Sequence, residues 1–283
     1  MQKYSFDDLK NKVCVLTGGG GVIGSVLAKG LASTGVKLAI LDIKKEYADK
    51  VADEVRNIYN TEIIGVEANV LDKASLEKAK KVIMNKLGKV DILINGAGGN
   101  SPKATTKYEF ITDENVNSLN DTFFGLELEG FQKVFDLNFL GTLLPTMVFA
   151  KEMVERKSGV ILNISSMNSF RPLTKIPAYS AAKASINNFT EWLAVHFAKV
   201  NVRVNAIAPG FFLTNQNRFL LVDEKTKNLT ARGKKIIANT PMGKFGEPED
   251  LIGGTLFLLS DTSNFITGIV LPIDGGFNIY SGV

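Results

Sequence analysis

Among 283 residues there is one cysteine, Cys14, and one histidine, His196. A single cysteine excludes an intrachain disulfide. It stands in Val13-Cys14-Val15-Leu16, a run that reads as a buried strand, where a small core residue fits better than a nucleophile. A Ser-His-Asp centre would have to use His196, which lies in a helical stretch with no nucleophile elbow in the sequence. We read it as structural or surface. No His/Cys cluster has the spacing of metal ligands, so no metal is expected. Long hydrophobic runs are also missing. None reaches the length of a membrane span, and the first eight residues lack the apolar core of a signal peptide. The expectation is a cytoplasmic protein with no membrane partner. Charge of one sign is scarce too: 33 Lys and Arg against 29 Asp and Glu leave a net +4. That is too mild, and the basic residues too scattered, for a nucleic-acid partner.

What is present is an ordinary soluble composition, 45% hydrophobic and 22% charged, on a chain long enough for one large α/β domain or two small ones. Short Val/Ile/Leu-rich runs alternate with longer amphipathic segments. Strands are predicted at 12–17, 37–41, 63–68, 91–95, 159–164, 203–207 and 269–272. Helices are predicted at 23–33, 46–58, 75–87, 131–156, 178–200, 217–238 (broken) and 248–259. Strands that are apolar throughout rather than alternating fit a parallel sheet covered by helices on both faces. The unbroken β-α rhythm predicts one doubly wound domain over 1–283, about seven strands, with no linker or repeat. Two segments interrupt it. One is an acidic, Phe-containing insert near 100–130. The other is a polar stretch near 211–244 that reads as a lid over the carboxyl ends of the strands.

Thr17-Gly18-Gly19-Gly20-Gly21-Val22-Ile23-Gly24 follows the first strand and opens a helix. Glycines let a backbone approach a pyrophosphate, and the helix N-terminus offers unpaired N–H groups to it. Four consecutive glycines match many patterns; the position between strand and helix gives this match its weight. The second strand ends on Asp42, a carboxylate placed to accept from both ribose hydroxyls and to repel a 2′-phosphate. NAD is therefore expected before NADP, with Lys44 and Lys45 nearby weakening the exclusion.

Tyr179 and Lys183 lie four residues apart, on one face if the stretch is helical. A phenol has a pKa of about 10, and lowering it by ~3 units takes roughly 4 kcal/mol. One cation at about 4 Å supplies that order at an effective dielectric of ~20. The pair alone also fits a solvated helix face; its neighbours in the sequence give it meaning.

The glycine loop, Asn95-Gly96-Ala97-Gly98, Asn138, Ser166, Tyr179 with Lys183, and Pro209-Gly210 occur in one order across the chain. Together they resemble the classical short-chain dehydrogenase/reductase family, from about Leu9 to Phe277. The resemblance implies a Rossmann-like α/β fold and an NAD(P)-dependent oxidoreductase. It implies that Tyr179 is the general acid/base, that Lys183 lowers its pKa and holds the nicotinamide ribose, and that Ser166 binds the substrate oxygen. Ser165 is the alternative serine, on the other side of the strand. Asn138 would position a water linking Lys183 to solvent. Cofactor contacts are implied for Gly18, Gly21, Val22, Ile23, Gly24, Asp42, Asn69, Val70, Asn95, Gly96, Ala97, Tyr179, Lys183, Pro209, Gly210, Phe212 and Thr214. The chain departs from the family at Val22 and Ser169, where glycines are usual, at Asn69 in place of an aspartate that meets the adenine amine, and at Gly96 in place of asparagine.

Asn100, Ser101, Lys103, Asn168, Arg171, Asn215, Gln216, Asn217 and Arg218 surround the expected centre in sequence. Such amides and guanidiniums suit a polyhydroxylated substrate with a carboxylate. Asn100, Ser166, Asn168, Arg171, Tyr179 and Arg218 are the expected substrate contacts, with Arg171 or Arg218 on the carboxylate. The segment Gly98–Pro102, the acidic insert and the segment Met167–Thr174 are similar to the sugar-acid branch of the family, the D-mannonate oxidoreductases (fructuronate reductases). Gluconate 5-dehydrogenase-like or other polyol chemistry is the alternative. A non-catalytic NAD-binding regulator is a third reading, which the presence of Ser166, Tyr179 and Lys183 opposes. The family also implies a homotetramer, for which the helix after Tyr179 carries surplus apolar surface.

Overall fold

The computed structural model describes residues 5–214 and 218–282. The candidate contacts Asn215, Gln216 and Asn217 lie outside the described residues. Strands β1 (Val13–Thr17), β2 (Lys37–Asp42), β3 (Ile63–Glu67), β4 (Ile92–Asn95), β5 (Gly159–Ile164), β6 (Val202–Pro209) and β7 (Val270–Ile273) form one parallel sheet. Its order is β3-β2-β1-β4-β5-β6-β7. The helices are α1 (Val22–Ser33), α2 (Lys45–Ile58), α3 (Lys73–Lys86), α4 (Leu128–Phe135), α5 (Gly141–Glu155), α6 (Pro177–Phe197), α7 (Arg218–Leu221), α8 (Ala231–Ala238) and α9 (Asp250–Leu259). This is the Rossmann-like α/β fold that the sequence predicts.

The apolar strands are buried on both faces because each successive side chain meets a different helical layer. Cys14 and Leu16 of β1 pack with Leu27 and Leu31 of α1, Val51 and Val55 of α2 and Leu251 of α9. Val13 and Val15 point the other way, into a cluster with Ile83 of α3, Phe149 and Met153 of α5 and Leu193 of α6. Burial pushes the Cys14 thiol far up, consistent with an inert core residue.

The strand order reverses at β1, whose neighbours β2 and β4 run away to either side. The carboxyl ends of strands flanking such a reversal form a crevice, the usual ligand position in open α/β sheets. Thr17, Asn95 and Asn163 stand in register across β1, β4 and β5 at that edge.

The long helix predicted at 131–156 is interrupted. Between α4 and α5 the chain makes one π-helical turn, Asp136–Leu140, with Asn138 buried in it. Such turns concentrate at functional sites. Thr142 and Thr146 return their hydroxyls to the carbonyls of Asn138 and Thr142, at 2.9 and 2.8 Å.

Candidate active site

The glycine loop lies where β1 hands over to α1. Gly18 has φ +64°, and a Cβ there would come within 2.7 Å of the Ala97 backbone, so the loop and the start of the β4 connection touch as only glycine allows. Gly21 is the N-cap of α1 with no side-chain cap, so Val22, Ile23 and Gly24 form a first turn whose N–H groups are available to an anion. Val22 occupies this first turn without disturbing it. Thr17 Oγ1 accepts the N–H groups of Gly96 and Ala97 at 3.1 and 3.3 Å, which fixes that segment across the crevice.

Asp42 ends β2 beside the loop. Its carboxylate accepts the Gly20 N–H at 3.2 Å and the Lys44 N–H at 3.2 Å. The Lys44 ammonium turns instead towards the Tyr47 ring, 4.9 Å from its centroid, and Glu46. Asn69 uses its side-chain oxygen on the Leu71 N–H, at 2.9 Å. Val70 is buried against Gly141. Asn95 is also buried and donates to Thr146 and Asn163 at 3.0 and 2.9 Å, so it supports the sheet. Pro209 ends β6; Gly210 follows and pairs its N–H with Ile273 at 2.9 Å. Phe212 is buried and bridges to Gly246, and Thr214 follows two residues on.

Helix α6 carries Tyr179 and Lys183 on one face. Lys183 is buried, its ammonium donating to the Ile164 carbonyl at 2.7 Å and lying 5.6 Å from the Tyr179 ring centroid. Ser166 follows β5, and its hydroxyl acts on the Tyr179 phenol, pulling its pKa down. Its Oγ accepts the Asn168 N–H at 3.2 Å. Asn138 grips Gly99 in both directions, donating to its carbonyl at 2.7 Å and accepting its N–H at 3.3 Å. A Cβ on Gly98 would lie 2.6 Å from Asn138 Oδ1 and 3.3 Å from Lys183 Nζ, so all three residues converge on one point. Ser166, Tyr179, Lys183 and Asn138 are thus brought together as the sequence predicts.

One expectation is corrected. The phenol is not lowered in the protein alone: burial pushes Tyr179 up, and only the Ser166 hydrogen bond pulls it back. Burial acts on the partner as well, bringing Lys183 from the usual ammonium range down to about 7. A low-dielectric site penalises phenolate and ammonium alike.

One residue, Asn187, escaped the sequence reading. Ser165 does not face the centre but bonds Asn187 at 2.5 Å, and Asn187 in turn donates to Ser169 at 2.8 Å. Ser169 closes on the Ser166 carbonyl at 2.5 Å. This brace explains why a serine stands where the family has glycine. The available signal was that Asn187 falls one helical turn beyond Lys183.

The substrate candidates separate. Asn168 is 6% exposed, and its buried side-chain oxygen has no hydrogen-bond partner among the described residues. Asn100 is exposed and donates to Thr105 at 3.0 Å. Arg171 is exposed and uses one donor on the Tyr280 carbonyl at 3.3 Å. Arg218 begins α7 and is exposed.

Comparison with known proteins agrees with this geometry. The family profile described as short chain dehydrogenase matches residues 12–225. An uncharacterized oxidoreductase of Haemophilus influenzae is 53% identical over 98% of this chain and 96% of its own length. The uncharacterized oxidoreductase UxuB of Bacillus subtilis is 50% identical over 98% of both chains. A solved Haemophilus influenzae structure, of a candidate D-mannonate oxidoreductase with bound NAD, superposes with TM-score 0.92 at 52% identity, covering 98% of each chain. The chain is an oxidoreductase and belongs to the short-chain dehydrogenase family.

Proposed function

We propose that this chain is an NAD-dependent oxidoreductase of sugar acids, reducing D-fructuronate to D-mannonate and running the reverse reaction. The observation that carries the chemistry is the convergence of Asn138, Gly98 and the buried Lys183 ammonium beside Tyr179, with the Ser166 hydroxyl acting on the phenol. The likeness to a candidate D-mannonate oxidoreductase supports the substrate class, and so does the unsatisfied, buried Asn168 oxygen, which suits a hydroxyl donor.

The crevice fits the cofactor. A glycine at positive φ against Ala97, an uncapped helix N-terminus and a carboxylate beside the loop make the set that a dinucleotide needs. The pyrophosphate would rest on the first turn of α1, the adenosine ribose on Asp42 and the nicotinamide ribose on Lys183 and Tyr179. Asn69, Val70, Gly96, Ala97, Pro209, Gly210, Phe212 and Thr214 would line the remainder. Lys44, drawn to Tyr47 and Glu46, leaves Asp42 to disfavour a 2′-phosphate. When bound, NAD(H) supplies or accepts the hydride and, oxidised, brings a positive charge that favours phenolate.

In the reducing direction Ser166 donates to the ketone oxygen as negative charge develops there. Its own Oγ is polarised by the Asn168 N–H. Tyr179 gives that oxygen its proton, completing the secondary alcohol. Lys183, with a pKa of about 7, exchanges protons at neutral pH and resupplies the phenol. Asn138, which holds Gly99 in both directions, would position a water linking the ammonium to solvent. Arg171 or Arg218 binds the carboxylate.

Residues 1–283 act as one cofactor-binding unit, with the 100–130 insert and the 211–244 lid flanking the substrate. Four copies assemble through the faces of α5 and α6, where Met147, Trp192 and Val195 are exposed; a monomeric mass at micromolar concentration would reject this. The test of function is NADH oxidation with a panel of uronates, 5-ketogluconate and acyl thioesters. Turnover confined to 5-ketogluconate would favour the gluconate-type alternative. Turnover of acyl thioesters alone would overturn the sugar-acid reading. Unchanged Michaelis constants for the uronate in both Arg171→Ala and Arg218→Ala would overturn the carboxylate assignment.

A further inference from the structure

The 100–130 insert is fastened to the reacting centre at its root. Asn138 holds Gly99 in both directions. Ala104, fully buried, packs with Val134, Ala178, Phe131 and the ring of Tyr179. Thr106 donates its N–H to the Lys175 carbonyl at 3.0 Å, beyond the Ser166 segment. The Lys103 carbonyl accepts the Glu127 N–H at 3.1 Å, and the two side chains form an ion pair at 2.8 Å. The outer part is different in kind. Phe110, Ile111, Phe123 and Phe124 are exposed, and the backbone there runs through short 3-10 turns.

The lid rises from the carboxyl end of β6 and is braced within itself. Val222 bridges Leu229, and Thr230 caps α8 by accepting the Gly233 N–H at 3.0 Å. Insert and lid are 126 residues apart at the point where Glu109 forms an ion pair with Lys235 of α8. Around the pair the two segments carry opposite charge: Asp113 and Glu114 follow Glu109, while Arg232 and Lys234 precede Lys235.

We propose that insert and lid are the two walls of the substrate pocket, and that Glu109 and Lys235 are positioning residues that latch one wall to the other. This rests on the reading of Ser166 and Tyr179 as the reacting centre, which fixes where the pocket lies. Both side chains are more than one-third exposed. Such a pair shifts an equilibrium by at most about fivefold. That is too weak to lock the site and strong enough to bias the walls towards closure while letting substrate in.

The experiment compares wild type with Glu109→Lys, Lys235→Glu and the double swap. Thermolysin cleavage within the insert is measured without substrate or cofactor. KM and kcat are measured with whichever panel substrate the wild-type chain turns over. Each single reversal is expected to raise KM by about two- to fivefold, with kcat changed less than about twofold. Each should also speed cleavage at the exposed phenylalanines. The swap should restore both. Singles indistinguishable from wild type in KM, or a swap that restores neither quantity, overturn the latch. If the wild type turns over nothing in the panel, the functional reading fails, while the cleavage arm decides the pairing by itself.

Discussion

Asn168 gives its backbone N–H to Ser166 Oγ at 3.2 Å, and the Ser166 hydroxyl in turn pulls down the pKa of the Tyr179 phenol. The serine therefore accepts on one side and is left to donate on the other, which is the polarity a developing oxyanion needs. Ser166→Ala is expected to lower kcat by about a hundred- to a thousandfold. Tyr179→Phe should lose about a hundred- to ten-thousandfold. Both should retain NADH binding by fluorescence titration. Near wild-type turnover in either variant would remove that residue from the chemistry.

The buried oxygen of Asn168 predicts a substrate hydroxyl as its partner. Asn168→Leu should raise the uronate KM by about tenfold, and lower it for analogues that lack one hydroxyl near the reacting carbon. Steady-state kinetics across a deoxy series would show this crossing. A uniform rise for every analogue would mean that Asn168 only shapes the loop.

Lys183 sets a pH dependence whose sign follows from its direction. Its folded-state pKa is lowered to about 7, while the unfolded chain titrates near 10.5. Between those values the unfolded state binds more protons, so the stability of the apo protein rises with pH. Below about 7 the penalty of the buried ammonium is present in full. Chemical denaturation at pH 6, 7.5 and 9 should show wild type gaining on Lys183→Met as pH rises. Parallel curves for the two proteins would contradict the burial cause.

Asp42 predicts the cofactor preference. Replacing it by alanine removes the repulsion of a 2′-phosphate and one ribose acceptor. The ratio of kcat/KM for NADH over NADPH should fall by about tenfold or more. An unmoved ratio would place discrimination elsewhere in the loop.

Gly98 predicts a selective loss. A methyl group there meets Asn138 Oδ1 at 2.6 Å and Lys183 Nζ at 3.3 Å. Gly98→Ala should cost activity by about tenfold or more through displaced catalytic groups. Its melting temperature should fall by only a few degrees. A large thermal loss with proportionate activity would make the position structural.

The strands were legible because Val/Ile/Leu runs leave a local signature, most plainly in the central strands buried on both faces, and the ends of all seven fall within two residues of the prediction. The interruption at 136–140 was not legible. It accompanies the grip of Asn138 on Gly99, 39 residues away, and no window of sequence contains both partners. The glycine loop, Asp42, Ser166, Tyr179 and Lys183 were readable from type, spacing and order. The titration of the central pair was not, because desolvation is a property of the assembled interior. Arg171 illustrates the same boundary: its charge suggested a ligand, while only the fold reveals that it also touches the carbonyl of Tyr280.

The sheet order has a consequence for synthesis. β1 is flanked by β2 and by β4, and the Val13 N–H donates to the carboxylate of Asp91, 78 positions further on. A chain emerging from the ribosome thus exposes one side of its first strand until the fourth has been made. Parallel pairing of this kind forms late and leaves an edge open to wrong partners. Truncated products ending before β4 should be the aggregating species, and a chaperone that shields the first ninety or so residues would act at the most vulnerable moment in the life of this protein.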